Sequence, residues 1–271
     1  MLIDIGYEIE LALTAPTALI HLLRVHPSRE QDLLMPEFAN VQPPLACTEY
    51  ADGFGNRCTR IQVPAGVSMV RLSSHSRIRD SGLPDLYAPE ARQHAPQELP
   101  TEVLQFLLPS RYCEVDSELL PFAWAQFGQT PLGWARVQAV CSFVHQRIRF
   151  DYANARANRS ALEGFREQTG VCRDYAHLAV TLCRCLNIPA RYCTGYLGDI
   201  GVPLVPLPMD FSAWFEVYLG GQWWTFDARH NHPRIGRVLM ARGRDAGDVP
   251  ITMTFGPNTL NRFEVVTNEV R

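Results

Sequence analysis

Lysine is absent: all 25 basic residues of this 271-residue chain are arginines. That excludes a catalytic lysine. Excess charge is also missing. With 25 basic against 28 acidic residues the formal net charge is −3, which gives no basis for expecting nucleic acid or an anionic membrane as a partner. No apolar run approaches the ~20 residues that a membrane-spanning helix needs. Near the N-terminus Asp4, Glu8 and Glu10 interrupt the apolar residues and no basic stretch precedes them, so an export signal is not read and a cytoplasmic address is expected. Reduced thiols follow for the eight cysteines. None forms a CxxC pair, and Cys172, Cys183, Cys185 and Cys193 with His177 match no common ligand spacing, so neither metal nor cofactor is expected.

What remains is the composition of an ordinary globular protein, 46% hydrophobic and 20% charged, long enough for two domains. Residues 1–100 read as a β-rich N-terminal domain. Ile3, Ile5, Tyr7, Ile9, Leu11 and Leu13 keep a period of two, and Asp52-Gly53-Phe54-Gly55-Asn56 is a turn between two strand-like runs. Prolines 84, 89, 96 and 100 mark a connector. Residues 101–271 then begin with a helical pattern: a short helix from Thr101 to Leu108, a second capped by Asp116 with Leu119 to Trp124, a third from near Leu132 to Ile148, and a fourth from Cys172 to before Pro189. Strand periodicity returns at Ala190–Tyr196, Phe211–Leu219 and Gln222–Ala228. Helices followed by antiparallel strands predict an α+β domain.

Gly170-Val171-Cys172-Arg173-Asp174 carries the clearest chemistry. It places a thiol at the first turn of a helix, where the dipole and unpaired N–H groups are expected to lower its pKa. The alternative is a cysteine packed as a small apolar residue. The pair Gly220-Gly221 predicts a two-residue hairpin. Opposed positions then sum to a constant, pairing Leu219 with Gln222, Tyr218 with Trp223 and Phe215 with Phe226, and setting Asp227 diagonal to Ser212 on one face.

The segments TGVCRDYAHLAVTLCRCLNIPARYCTGYL and MDFSAWFEVYLGGQWWTFDARH resemble the core of the transglutaminase-like superfamily of papain-like cysteine enzymes. The resemblance covers Tyr112 to Asp227 well and the first hundred residues loosely. It implies a papain-like α+β core behind a β-rich N-terminal domain, with Cys172 as a nucleophile that forms a thioester and Asp227 as the acid that orients a histidine. The implied function is amide-bond hydrolysis or acyl transfer on a peptide or protein, with hydrolysis favoured. The chain departs from the family at the histidine, because His-Ala-Trp is here Ser212-Ala213-Trp214.

Three readings follow. His230 substitutes as base, which needs a bend because strand parity points it to the far face, or else the more distant His232 does. Alternatively the thiolate works without a base beside Arg229 and Ser212. In the third reading catalysis is lost and the groove binds a peptide or protein partner. His177, about 140° around the helix from Cys172, is expected to be a packed residue. Asp174 reads as a first-turn charge, and Glu216 as a groove-lining or exposed acid. Trp214, Trp223 and Trp224 suggest an aromatic wall or core, and the arginines of 234–244 solvated strand ends and loops.

Overall fold

A computed structural model describes residues 1–206 and 208–270. The first part is built from strands β1 (Leu2–Leu13), β2 (Thr17–His21), β3 (Asn40–Gln42), β4 (Cys47–Ala51), β5 (Arg57–Val63) and β6 (Met69–Arg79). Every apolar residue of the expected period-two series in β1, from Ile3 to Leu13, is buried. The predicted turn closes the β4–β5 hairpin, where the Asp52 carboxylate accepts from the N–H groups of Phe54 and Asn56.

Helices follow: α1 (Thr101–Leu104), α2 (Leu119–Phe127) and α3 (Trp134–Arg147), then β7 (Arg149–Phe150), α4 (Ala161–Glu167), β8 (Thr169–Gly170) and α5 (Cys172–Cys185). Asp116 does not cap α2. The helix starts later, after Glu118, and the nearby Ser117 hydroxyl takes the Leu119 N–H instead. Helix α4 was not anticipated, although its signal is present: Ser160 and Glu163 form a reciprocal capping box.

The remaining strands are β9 (Ala190–Tyr196), β10 (Ser212–Leu219), β11 (Gln222–Phe226), β12 (Val238–Gly243), β13 (Thr252–Thr254) and β14 (Asn258–Glu269). Strands β11-β10-β9-β12 form one antiparallel sheet. Its hairpin has the predicted register, from Leu219 opposite Gln222 to Phe215 opposite Phe226. Both turn glycines have positive φ, which the twist of a tight hairpin favours. Two further sheets, β14-β1-β6-β3 and β13-β2-β5-β4, share a second core, so strands from the end of the chain complete sheets begun at its start.

Helix α5 lies between α2, α3 and α4 on one side and β9 and β10 on the other. From Asp174 to Cys185 every residue is buried, as expected of a helix enclosed on all sides. The architecture is therefore α+β, with a helix cluster on an antiparallel sheet and a β-rich N-terminal region. The arginine segment proved different from expectation. Residues 238–243 are strand β12, and Arg234 and Arg237 are 4% and 8% exposed rather than solvated. Arg237 turns inward to Asp85 and Asp227, and Arg234 to Asp199 and the Gly198 carbonyl.

Candidate active site

The start of α5 is held by Asp174, whose carboxylate accepts the Val171 N–H at 2.8 Å and pairs with Arg159 at 3.0 Å. This needs a glycine at 170, because a Cβ there would lie 2.5 Å from the Asp174 carboxylate oxygen. Gly170→Ala is accordingly expected to destabilise the protein by about 1–3 kcal/mol through overpacking and a disturbed cap. Urea denaturation measures it, and an unchanged midpoint would show that the acid can move at no cost.

So positioned, Cys172 is half-buried against the start of β10. Its Sγ is 4.0 Å from the Phe211 carbonyl, and the thiol packs beside Ala213 and Tyr192. Enclosure by protein pushes the thiol up to about 11, with Asp210 and Asp227 adding to the effect and Arg229 and the Ala213 N–H opposing it. The expected thiolate at the helix N-terminus is therefore not the resting state. Desolvation outweighs Arg229 and the Ala213 N–H. Alkylation of Cys172 by iodoacetamide between pH 7 and 9 is predicted to be slower than that of an unperturbed thiol. A faster reaction would overturn this.

Ser212 is 5% exposed, and its hydroxyl has no partner among the described residues. Asp227 lies at the end of β11, also buried. Here the chain leaves the strand. The Asn231 N–H donates to the Asp227 carbonyl at 2.7 Å, Asn231 has a φ of +55°, and residues 228–230 form a turn. This turn is the bend that strand parity alone does not supply. It carries His230 back over Asp227, where His230 Nδ1 is 2.8 Å from Oδ2 and the His230 backbone N–H donates to Oδ1 at 3.0 Å. Burial alone would raise the Asp227 acid, but Arg237 and the His230 hydrogen bonds hold it well below the usual carboxylate range. An ionised Asp227 makes Nδ1 the donor and leaves Nε2 as the basic nitrogen. Burial outweighs Asp227 at the imidazole, so His230 titrates below its ordinary value and is neutral at pH 7.

Ser212, His230, His232, Arg229, His145 and Asp210 line one cavity of about 420 Å³ with an aromatic wall of Phe150, Tyr152, Tyr175 and Phe211. Arg229 lies over the Phe150 ring at 3.9 Å, and His145 Nδ1 donates to the Arg229 carbonyl at 2.9 Å. None of this wall was read from the sequence. The tryptophans are elsewhere: Trp214 is buried beneath Arg237, Trp224 packs on Trp134, and Trp223 lies under Arg191. Glu216 does not reach the cavity and pairs with Arg191 at 2.5 Å. His177 is fully buried, its Nε2 accepting the Ala246 N–H at 3.1 Å while the ring stacks on Tyr112. It is a packed residue, as expected.

Comparison with known proteins bears on the family and the fold. Residues 123–228 match the family model described as the Transglutaminase-like superfamily. The chain carries a transglutaminase-like core, as the cysteine and aspartate segments implied. It is similar over 99% of its length to the crystal structure of a Cytophaga hutchinsonii protein provisionally named a cysteine protease, covering 90% of that chain with 29% identity and a TM-score of 0.85. An uncharacterized protein of Mycobacterium leprae is 31% identical over 131 residues, which are 46% of this chain and 47% of that protein. The match thus spans about half the length of that curated relative.

Proposed function

We propose that this protein is a cysteine-dependent amide hydrolase or acyl transferase in which His230, oriented by Asp227, serves as the base that position 212 does not provide. The observation that carries this is the Asp227–His230 contact of 2.8 Å beside a cavity that Ser212 also lines. A raised thiol and a lowered imidazole describe a neutral resting pair. His230 Nε2 then takes the thiol proton as Cys172 Sγ attacks the substrate carbonyl, and the thiolate exists only during attack. The Val171 N–H is taken by the Asp174 carboxylate, and those of Asp174 and Tyr175 by the Val171 carbonyl, so the Cys172 and Arg173 N–H groups, which have no acceptor among the described residues, are the donors for the oxyanion. Collapse of the tetrahedral species forms the thioester, and His230 returns the proton to the leaving amine. Water, or an amine acceptor, then attacks the thioester with His230 again acting as base.

Peptide amides are the proposed substrates, with apolar or aromatic side chains suited to the Phe150, Tyr152, Tyr175 and Phe211 wall. The test is incubation with a library of peptide amides, with mass spectrometry for a covalent adduct on Cys172. Accumulated acyl-enzyme that vanishes in Cys172→Ala supports the reading, and hydroxylamine should divert it to a hydroxamate. Turnover that persists in Cys172→Ala would sink it. A second reading, a groove that binds a peptide without cleaving it, is favoured by the serine at 212 together with the raised thiol. Tight binding by a protein that forms no adduct at any pH would select it.

A further inference from the structure

We propose that Asp85, in the connector after β6, is a positioning residue for the Asp227–His230 pair and acts through Arg237; this rests on the function proposed above. The connector leaves β6 at Arg79 and crosses to the β11–β12 loop. There the Asp85 N–H donates to the Arg234 carbonyl at 2.9 Å, and the Arg234 N–H donates back to Asp85 Oδ2 at 2.9 Å. This two-way backbone clasp fixes the carboxylate. Arg237 Nε then lies 2.9 Å from both Asp85 oxygens, while its Nη2 donates to Asp227 Oδ2 at 2.8 Å. Oδ2 is the same oxygen that receives His230 Nδ1–H. The side chains of Arg237 and Asp227 are 7% and 2% exposed and that of Asp85 15%, so the chain acid–guanidinium–acid–imidazole runs mostly out of water.

Such a chain works because a guanidinium is a rigid fork that serves two carboxylates in fixed directions. Were Arg237 bound to Asp227 alone, its whole charge would oppose the pull of Asp227 on His230. The Asp85 carboxylate offsets part of that effect with its own charge, and its contacts with Nε set the angle at which the fork meets Oδ2. The N-terminal region reinforces the loop a second time, since Arg29 Nη1 donates to the Arg237 carbonyl at 2.8 Å while pairing with Asp32 and Asp80. The other charged and titratable groups around His230 are Arg229 in its own turn, His232 with its ring centroid 6.1 Å away, Arg234, itself 4.0 Å from Asp199, and, lining the shared cavity, His145, Asp210, Tyr152 and Tyr175. Asp85→Asn removes the carboxylate charge at Arg237 and leaves an amide oxygen to accept the Arg234 N–H.

The experiment is an NMR titration of the His230 ring in the full chain, compared with the acid limb of kcat/KM. Loss of the Asp85 charge leaves the surroundings of His230 more positive, so its midpoint should fall. The expected shift is on the order of one pH unit. Asp85→Glu, which keeps the charge, should restore most of it, and Asp85→Ser serves as the neutral variant should the asparagine fail to fold. An unmoved or raised midpoint in a folded neutral variant would overturn the proposal and reduce Asp85 to a strap contact. Inert protein in which the midpoint still falls would condemn the catalytic reading while leaving the charge chain intact; active protein with an unmoved midpoint would do the reverse.

Discussion

His230→Asn is expected to lower kcat/KM about 10²–10⁴-fold, the usual contribution of a positioned acid–base group. The substitution is selective. An asparagine amide N–H can occupy the place of Nδ1–H and keep the bond to Asp227, but nothing replaces Nε2. Stability and KM should therefore change little, and the loss should fall on kcat. Because the imidazole is held below its ordinary value by burial and the thiol is pushed up to about 11, wild-type kcat/KM should rise through an acid limb below pH 6.5 and stay level well into the alkaline range. The variant should lose that limb. If His230→Asn retains activity within about threefold of wild type, outside the 10²–10⁴-fold range of a general base, His230 is not the base, and His232 or a base-free mechanism takes its place.

Arg237→Leu is expected to cost about 3–5 kcal/mol, because removing one partner leaves uncompensated buried charge. Two carboxylates are affected, Asp227 at the end of β11 and Asp85 in the connector. The pH dependence gives the sign. In the native protein Asp227 is held well below its unfolded value, so its stabilisation is complete above pH ~4 and disappears as pH falls toward the folded value. Without Arg237, burial is left as the largest influence and raises the same acid, which then destabilises the fold at neutral pH and recovers on protonation. Denaturation at pH 7 and again below pH 4 should show the gap between variant and wild type closing in acid. A gap that is the same at both pH values would assign the loss to packing on Trp214 instead of charge.

Local rules made much of the site legible. Two adjacent glycines whose positive φ suits a tight turn set the β10–β11 register residue by residue, and Gly170 with Asp174 marks where α5 must begin. Period-two alternation likewise exposed β1. These features depend on residues a few positions apart, so short-range geometry suffices. The Ser160–Glu163 capping box of α4 is equally local.

Other features depend on where the strand stops. Parity carries Ser212, Asp227 and His230 along one rule, yet β11 ends at Phe226, and the turn over 228–230 reverses the direction of His230. Burial decided the rest. The same arginine composition that describes a solvated tail also describes Arg234 and Arg237, and only distant acids distinguish them. Asp85 lies 149 positions from Arg234 and 152 from Arg237, while Asp227 lies only 10 from Arg237.

By itself the sequence determined the α+β class, the helix that presents Cys172, the hairpin register and the absence of a histidine at 212, since each rests on local stereochemistry or residue identity. Only the tertiary structure decided that His230 folds back onto Asp227, that the thiol is desolvated rather than activated at rest, and that the connector delivers an acid to Arg237. Proton affinity and ion pairing depend on what surrounds a group in space, and those surroundings come from chain segments far apart in sequence.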